Sequence, residues 1–176
     1  MDYNLLSEEE QIEAVKQNSF AIQNIKNPYK SVQIEAVKNN GNTIQFIVSP
    51  SEDIQLFAVK NNGLSIKFIK VPSEKVQLAA IKEDCNSIQY IKNPSEKIQI
   101  EAVKQDGFLI RTFKEPSESV IFSALEEEPF SIFYIKNPTE DMIKFVIRKN
   151  WKVADDIENL SEEMKELAEI HKNLQI

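Results

Sequence analysis

The sequence predicts an all-α fold: an α-solenoid, HEAT-like in architecture, of seven 22-residue helix-turn-helix repeats followed by a C-terminal capping helix. Three observations predict it. Prolines fall at 28, 50, 72, 94, 116 and 138, a spacing of 22 residues without insertion. Each interval repeats one apolar pattern, the signature of a stacked array. The residues after the proline are mostly Ser and then Glu, which starts a helix. The repeats are 6–27, 28–49, 50–71, 72–93, 94–115, 116–137 and 138–159, with the cap at 160–176, and the chain is read as a single domain over 1–176.

Positions within a repeat are counted from its proline. The fourth repeat reads PSEKVQLAAIKEDCNSIQYIKN and the fifth PSEKIQIEAVKQDGFLIRTFKE. Ser at position 2 caps the free amides of the first turn. Glu at position 3 sits at the positive end of the helix dipole. The first helix of each repeat, helix A, then runs for about ten residues to Lys at position 11, a cation at the negative end. Asn-Gly at positions 13–14, as in Asn40-Gly41 and Asn62-Gly63, is expected to stop it in a left-handed conformation. The second helix, helix B, is short and expected at positions 15 to 20. The Lys-Asn-Pro step ends it, because a residue before proline avoids the right-handed helical region. A leucine-rich repeat shares the period, but its strand pattern is absent.

Units such as PSEKVQLAAIKEDCNSIQYIKN resemble the short α-helical repeats of a domain-of-unknown-function family, whose units read like VQLAAVKQNGxAIxYI and occur in bacterial and phage proteins. The resemblance covers residues 6–159. It implies the solenoid fold and no catalytic, cofactor or metal residues.

At about 100° per residue, positions 5, 9, 6, 10 and 7 of helix A share an apolar arc of about 200°. Positions 4, 8, 11 and 12 are expected to face water. Position 6 lies inside the arc, yet it is Gln11, Gln33, Gln55, Gln77 and Gln99, giving way to Ile121 and Ile143 in the last two repeats. A buried carboxamide needs partners, so these glutamines are expected to form a structural ladder to turn backbone. The other reading is a polar stripe lining a groove.

The composition narrows the function. One cysteine, Cys85, and one histidine, His171, leave no internal disulfide and no His/Cys cluster for a metal or a nucleophile–base pair. The three glycines, at 41, 63 and 107, are too scattered for a phosphate loop. No apolar run approaches a membrane span, and MDYNLLSEEE lacks the features of a signal peptide. These readings point to a non-enzymatic cytoplasmic protein without cofactors. The net charge is −7; residues 1–116 hold 15 acids against 14 bases and residues 117–176 hold 13 against 7. That acidic end argues against nucleic acid.

What remains is a protein partner, bound by a scaffold. The sixth repeat departs most from the pattern, with Glu126, Glu127 and Glu128 followed by Phe130, Phe133 and Tyr134. Together with Asp155 and Asp156 these form the first candidate surface, because aromatic anchors beside charge are typical of interface hot spots. The second candidate is helix B's outer stripe: Phe46, Phe68 and Tyr90 with Gln45, Lys67, Gln89 and Arg111. The phage side of the resemblance suggests an inhibitor of a host defence protein, acting in host cytoplasm. The alternative is a small-molecule or nucleotide sequestering protein built on the Gln and aromatic columns. In the cap, Met164, Leu167, Ala168 and Ile170 are expected inward and His171 to be structural.

Overall fold

The computed structural model describes residues 2–174. Among these there are eight α-helices and no strand, and the helices alternate with short 3-10 helices. The chain divides into two compact units, Met1–Pro94 and Ser95–Ile176. In the first unit the α-helices are α1 (Glu8–Gln17), α2 (Lys30–Asn39), α3 (Glu52–Asn61) and α4 (Glu74–Glu83). In the second they are α5 (Glu96–Val103), α6 (Glu118–Glu127), α7 (Glu140–Lys149) and α8 (Glu162–Leu174). Within each unit successive α-helices pack side by side, and successive 3-10 helices form a second layer. The architecture is an α-solenoid of helical hairpins.

Helix A starts where the sequence places it. Ser73 and Ser117 each accept a hydrogen bond from the backbone N–H three residues on, at 3.4 Å. At α1 the cap is reciprocal: Glu10 reaches back to the Ser7 N–H at 2.8 Å, closing a capping box. The position-2 hydroxyl also links repeats, since Ser73 donates to Glu52 at 2.5 Å and Ser117 donates to Glu96.

Helix B differs from the sequence expectation in type and register. It is a 3-10 helix over positions 14–19, for example Gly41–Phe46 and Gly63–Phe68. The Asn-Gly pair does not adopt a left-handed stop. Asn40 is extended at φ −151, its N–H closes α2 on the Ala36 carbonyl, and its side chain accepts from Asn42 N–H to begin the 3-10 helix. No glycine has positive φ; the left-handed residues are Asn27, Ser49, Asn93 and Asn159, at the very end of their repeats. Asn tolerates that region through its short polar side chain.

The glycine has another cause. A Cβ on Gly41 would lie 2.3 Å from the Ala58 carbonyl oxygen of the next repeat, and one on Gly63 would lie 2.6 Å from that of Ala80. Position 14 is small where it must come close to the neighbouring helix A.

The core follows from two periods. In helix A after the first repeat, positions 5, 9 and 10 are buried, as in Ile54, Ala58 and Val59, while positions 6 and 7 are half-buried. The expected arc is therefore too wide by two columns, because the 3-10 layer covers only one side of helix A. Position 8 is also half-buried at Phe57 and Phe145, where water was expected. In a 3-10 helix residues three apart eclipse. Positions 14, 17 and 20 thus share a buried column, as in Gly41, Ile44 and Ile47. Position 16 is buried too, at Thr43, Ser65 and Ser131, which sequence reasoning on a 100° step does not show. Burying each Ile or Val contributes about 1.5–3 kcal/mol.

Repeats are also joined by a side chain at position 12. Asn39 Nδ2 donates to the carbonyls of Val15 and Lys16 at 3.1 and 3.0 Å, and Asn61 Nδ2 donates to Lys38 O at 2.8 Å. These are terminal carbonyls that a helix leaves without partners. At the end of the second unit Met164 is buried and Leu167 and Ala168 are half-buried, but Ile170 is 55% exposed, contrary to the expected inward face. His171 is half-buried late in α8.

Candidate functional site

The eight residues of the acidic and aromatic surface do not converge on one site. Glu128 is the N-cap of the 3-10 helix Pro129–Tyr134 and accepts from Phe130 N–H at 3.1 Å. Glu126 pairs with Lys149 of the next repeat. Glu126 and Glu127 line one open depression of about 570 Å³ with Phe122, Ser123, Phe145 and Lys104. Phe122 and Phe145 meet edge to face at 5.4 Å, and sequence reasoning did not single out either. Part of the signal was present: Phe122 is the one phenylalanine at position 7, whereas position 8 carries Phe57 as well as Phe145.

Phe133 and Asp156 line a different, narrower groove of about 220 Å³. Its floor is Ile132, Ile135, Pro138, Ile143 and Ile157, and Glu158 stands with Asp156 at its rim. Ile143 and Ile157 pack from below onto the core cluster of Leu125, Ile132, Met142, Val146 and Val153. Phe133 is 46% exposed and lies 6.2 Å from the Phe130 ring. Tyr134 turns the other way, edge to face with Phe108 at 6.0 Å, with the Arg111 guanidinium 5.9 Å from its ring. Asp155 is exposed on the same 3-10 helix as Asp156, Trp151–Asp156. None of Asp155, Asp156 and Glu158 has an ion-pair partner among the described residues.

The second candidate stripe is partly consumed by packing. Phe46 meets Phe20 of the preceding repeat edge to face at 6.0 Å, so the aromatics of positions 15 and 19 bridge repeats here. Gln45 and Gln89 each donate to the carbonyl three residues back, Asn42 and Asn86, at 3.0 Å. The Lys67 ammonium lies 4.9 Å from the Phe68 ring, while Tyr90 is exposed.

The position-6 glutamines hold the turns. Gln33, Gln55 and Gln77 donate from Nε2 to the carbonyls of Pro28, Pro50 and Pro72 at 2.8, 2.9 and 3.0 Å. Gln11, at 5% exposure, donates to Tyr3 O and Leu6 O, while its own Oε1 is buried without a partner. Gln99 is half-buried. Gln55 also lines a groove of about 500 Å³ with Ile44, Gln45, Ile47, Phe68 and Lys70. The two readings of this column thus coincide at Gln55.

The remaining electrostatics are at the surface. The Lys30 ammonium and the Ser51 hydroxyl hydrogen-bond the Asp53 carboxylate and hold its pKa down to about 2. Ser7 lowers that of Glu10 through its backbone N–H and then its hydroxyl. Glu163 and Glu140 raise that of Lys144. Among the described residues no three His, Cys, Asp or Glu side chains are grouped to hold a metal ion. No helix among them is long and apolar enough to cross a membrane. No protein-family model, curated protein or solved structure matches the chain.

Proposed function

We propose that the chain is a non-enzymatic scaffold that binds a protein partner through its sixth and seventh repeats. One observation carries the reading. Phe133 is 46% exposed at an apolar groove that Asp156 and Glu158 also line, and neither these carboxylates nor Asp155, next to Asp156 in sequence, have an ion-pair partner among the described residues. The exposed part of the ring and the unpaired charges beside it add nothing to folding, whereas both gain from a partner: the ring by desolvation and the acids by complementary charge. The resemblance of the repeats to those of bacterial and phage proteins supports a cytoplasmic inhibitor that meets a host protein with this acidic face.

The test is site-specific photo-cross-linking in the native cells. A photoreactive phenylalanine at Phe133 is expected to capture a protein that the same group at Phe46 does not. Capture at Phe46, Phe68 or Tyr90 alone would move the binding face to the other stripe.

A further inference from the structure

The groove at Phe133 has a counterpart four repeats earlier in the chain. Ile132, Phe133, Ile135, Pro138, Ile143, Asp156, Ile157 and Glu158 stand at the repeat positions of Ile44, Gln45, Ile47, Pro50, Gln55, Phe68, Ile69 and Lys70, which line the groove of the first unit. The same backbone frame therefore carries two different linings. Four positions are unchanged: the three isoleucines and the proline. Two polar positions become apolar, Gln45 to Phe133 and Gln55 to Ile143. Two rim positions become acidic, Phe68 to Asp156 and Lys70 to Glu158. Position 21 is Lys in five of the seven repeats, at 26, 70, 92, 114 and 136, so Glu158 reverses the charge that this edge otherwise carries.

Each change has a physical reading. Gln55 offers its carboxamide to the Pro50 carbonyl; Ile143 has no such group, and its side chain joins the groove floor. The floor then consists of aliphatic carbon and one aromatic ring. A volume of about 220 Å³ suits one bulky side chain, since a cavity of about 150 Å³ accommodates benzene. The rim holds two carboxylates, with a third, Asp155, next in sequence. Lys136, which follows Ile135 in the chain, forms no ion pair with any of them.

We infer that this groove receives a segment of the partner protein that carries one large apolar side chain flanked by lysine or arginine. The inference rests on the reading that the sixth and seventh repeats bind a protein, and it names the chemistry of what they bind. The apolar side chain enters between Phe133, Ile143 and Ile157. Its basic neighbours meet Asp156 and Glu158 at the rim. Apolar burial sets the lifetime and the charge sets the rate of encounter.

The test uses the full chain labelled with nitrogen-15 and three synthetic peptides: GKRFKRG, GKRAKRG and GEEFEEG. Backbone amide shifts report binding up to about 5 mM peptide, a range that covers weak single-anchor affinities. GKRFKRG is expected to shift the amides of Phe133, Ile143 and Asp156. GKRAKRG is expected to bind about tenfold more weakly, because it lacks the anchor, and GEEFEEG not at all. Ile143→Gln restores the residue of the first five repeats and so keeps the fold; it is expected to weaken GKRFKRG about tenfold. Asp156→Asn with Glu158→Gln is expected to remove most of the salt dependence.

Absent shifts with GKRFKRG, or equal binding of the phenylalanine and alanine peptides, would overturn the inference. So would a second copy of this chain as occupant, seen as a dimer in sedimentation that Ile143→Gln dissolves. If Phe133 cross-links a cellular protein and GKRFKRG gives no shifts, the peptide chemistry is wrong and the scaffold reading stands. If GKRFKRG binds as expected and cellular cross-links arise only at Phe46, the scaffold face is wrong and the groove chemistry stands.

Discussion

Gly41 and Ala58 lie closer than any side chain at residue 41 would permit: a Cβ there would stand 2.3 Å from the Ala58 carbonyl oxygen. The obstacle is backbone within α3, which cannot rotate aside as a side chain can. Gly41→Ala is therefore expected to force neighbouring repeats apart and to cost about 1–3 kcal/mol, the range for overpacking. Urea unfolding would measure it. Gly107→Ala should behave alike, since its Cβ would meet Ala124 O at 2.6 Å.

Asn61 ties its own repeat to the preceding one through both ends of one side chain. Its Nδ2 donates to Lys38 O, and its Oδ1 accepts from Gly41 N–H at 2.7 Å. Asn61→Ala leaves a part-buried N–H unpaired, at an expected cost of about 1–3 kcal/mol. Asn61→Asp keeps the acceptor and should fall between. An unchanged denaturation midpoint for Asn61→Ala would show that water replaces both bonds.

The glutamine column predicts a smaller effect. Gln55→Ala and Gln77→Ala each release a proline carbonyl, and that of Pro50 lies at a groove open to water. The expected loss is about 1 kcal/mol. Gln77→Ile exchanges the bond for apolar area, as Ile121 and Ile143 do naturally, and should cost less than alanine in the same unfolding assay.

Acid should weaken the first unit in a defined window. Asp53 has a pKa of about 2 in the fold against an ordinary 3.8. A lowered folded value means the carboxylate stabilises the fold at pH above 3.8, and that contribution disappears as the pH falls toward 2. Glu10 shifts in the same direction. Asp53→Asn is expected to flatten the dependence of the unfolding midpoint between these two pH values; an unaltered slope would assign it to other carboxylates.

The acids of the sixth and seventh repeats should differ from one another in binding. Glu126 is already paired with Lys149, and Glu128 serves as a cap that glutamine can replace. Replacing Glu126, Glu127 and Glu128 with glutamine is thus expected to slow partner association less than replacing Asp155 and Asp156 with asparagine. Phe133→Ala should instead speed dissociation, at a cost of about 2 kcal/mol or more. Stopped-flow or surface-based kinetics at two salt concentrations would separate the three variants.

The repeat, its boundaries and the start of each helix A are legible in the sequence because proline, serine and glutamate act locally. The identity of helix B is not, since Ile44 and Ile47 fit either a 100° or a 120° step. The glycine at 41 reads as a turn residue, and only the approach of Ala58 from the next repeat gives the true reason. The candidate surface was legible as a list of residue types and not as a place. Whether Glu128 faces solvent or caps Phe130 depends on the fold of the intervening Pro129. The groove at Phe133 needed the register of two repeats at once, which shows the exchange of Gln55 for Ile143 and of Lys70 for Glu158.

The position-12 contacts have a consequence for ancestry. In the first unit Asn39 and Asn61 both reach back one repeat to the ends of α1 and α2. Every such junction asks the same thing of its two sides. Excision of residues 28–49 as a block would bring Asn61 to the carbonyls that Asn39 now serves. Duplication would add one more identical joint. Copy number is then a heritable quantity that recombination changes in steps of 22 residues without inventing a new joint. From the fourth repeat on, position 12 is Glu83, Gln105, Glu127 and Lys149, and there the asparagine joint, and the exchangeability it gives, ends.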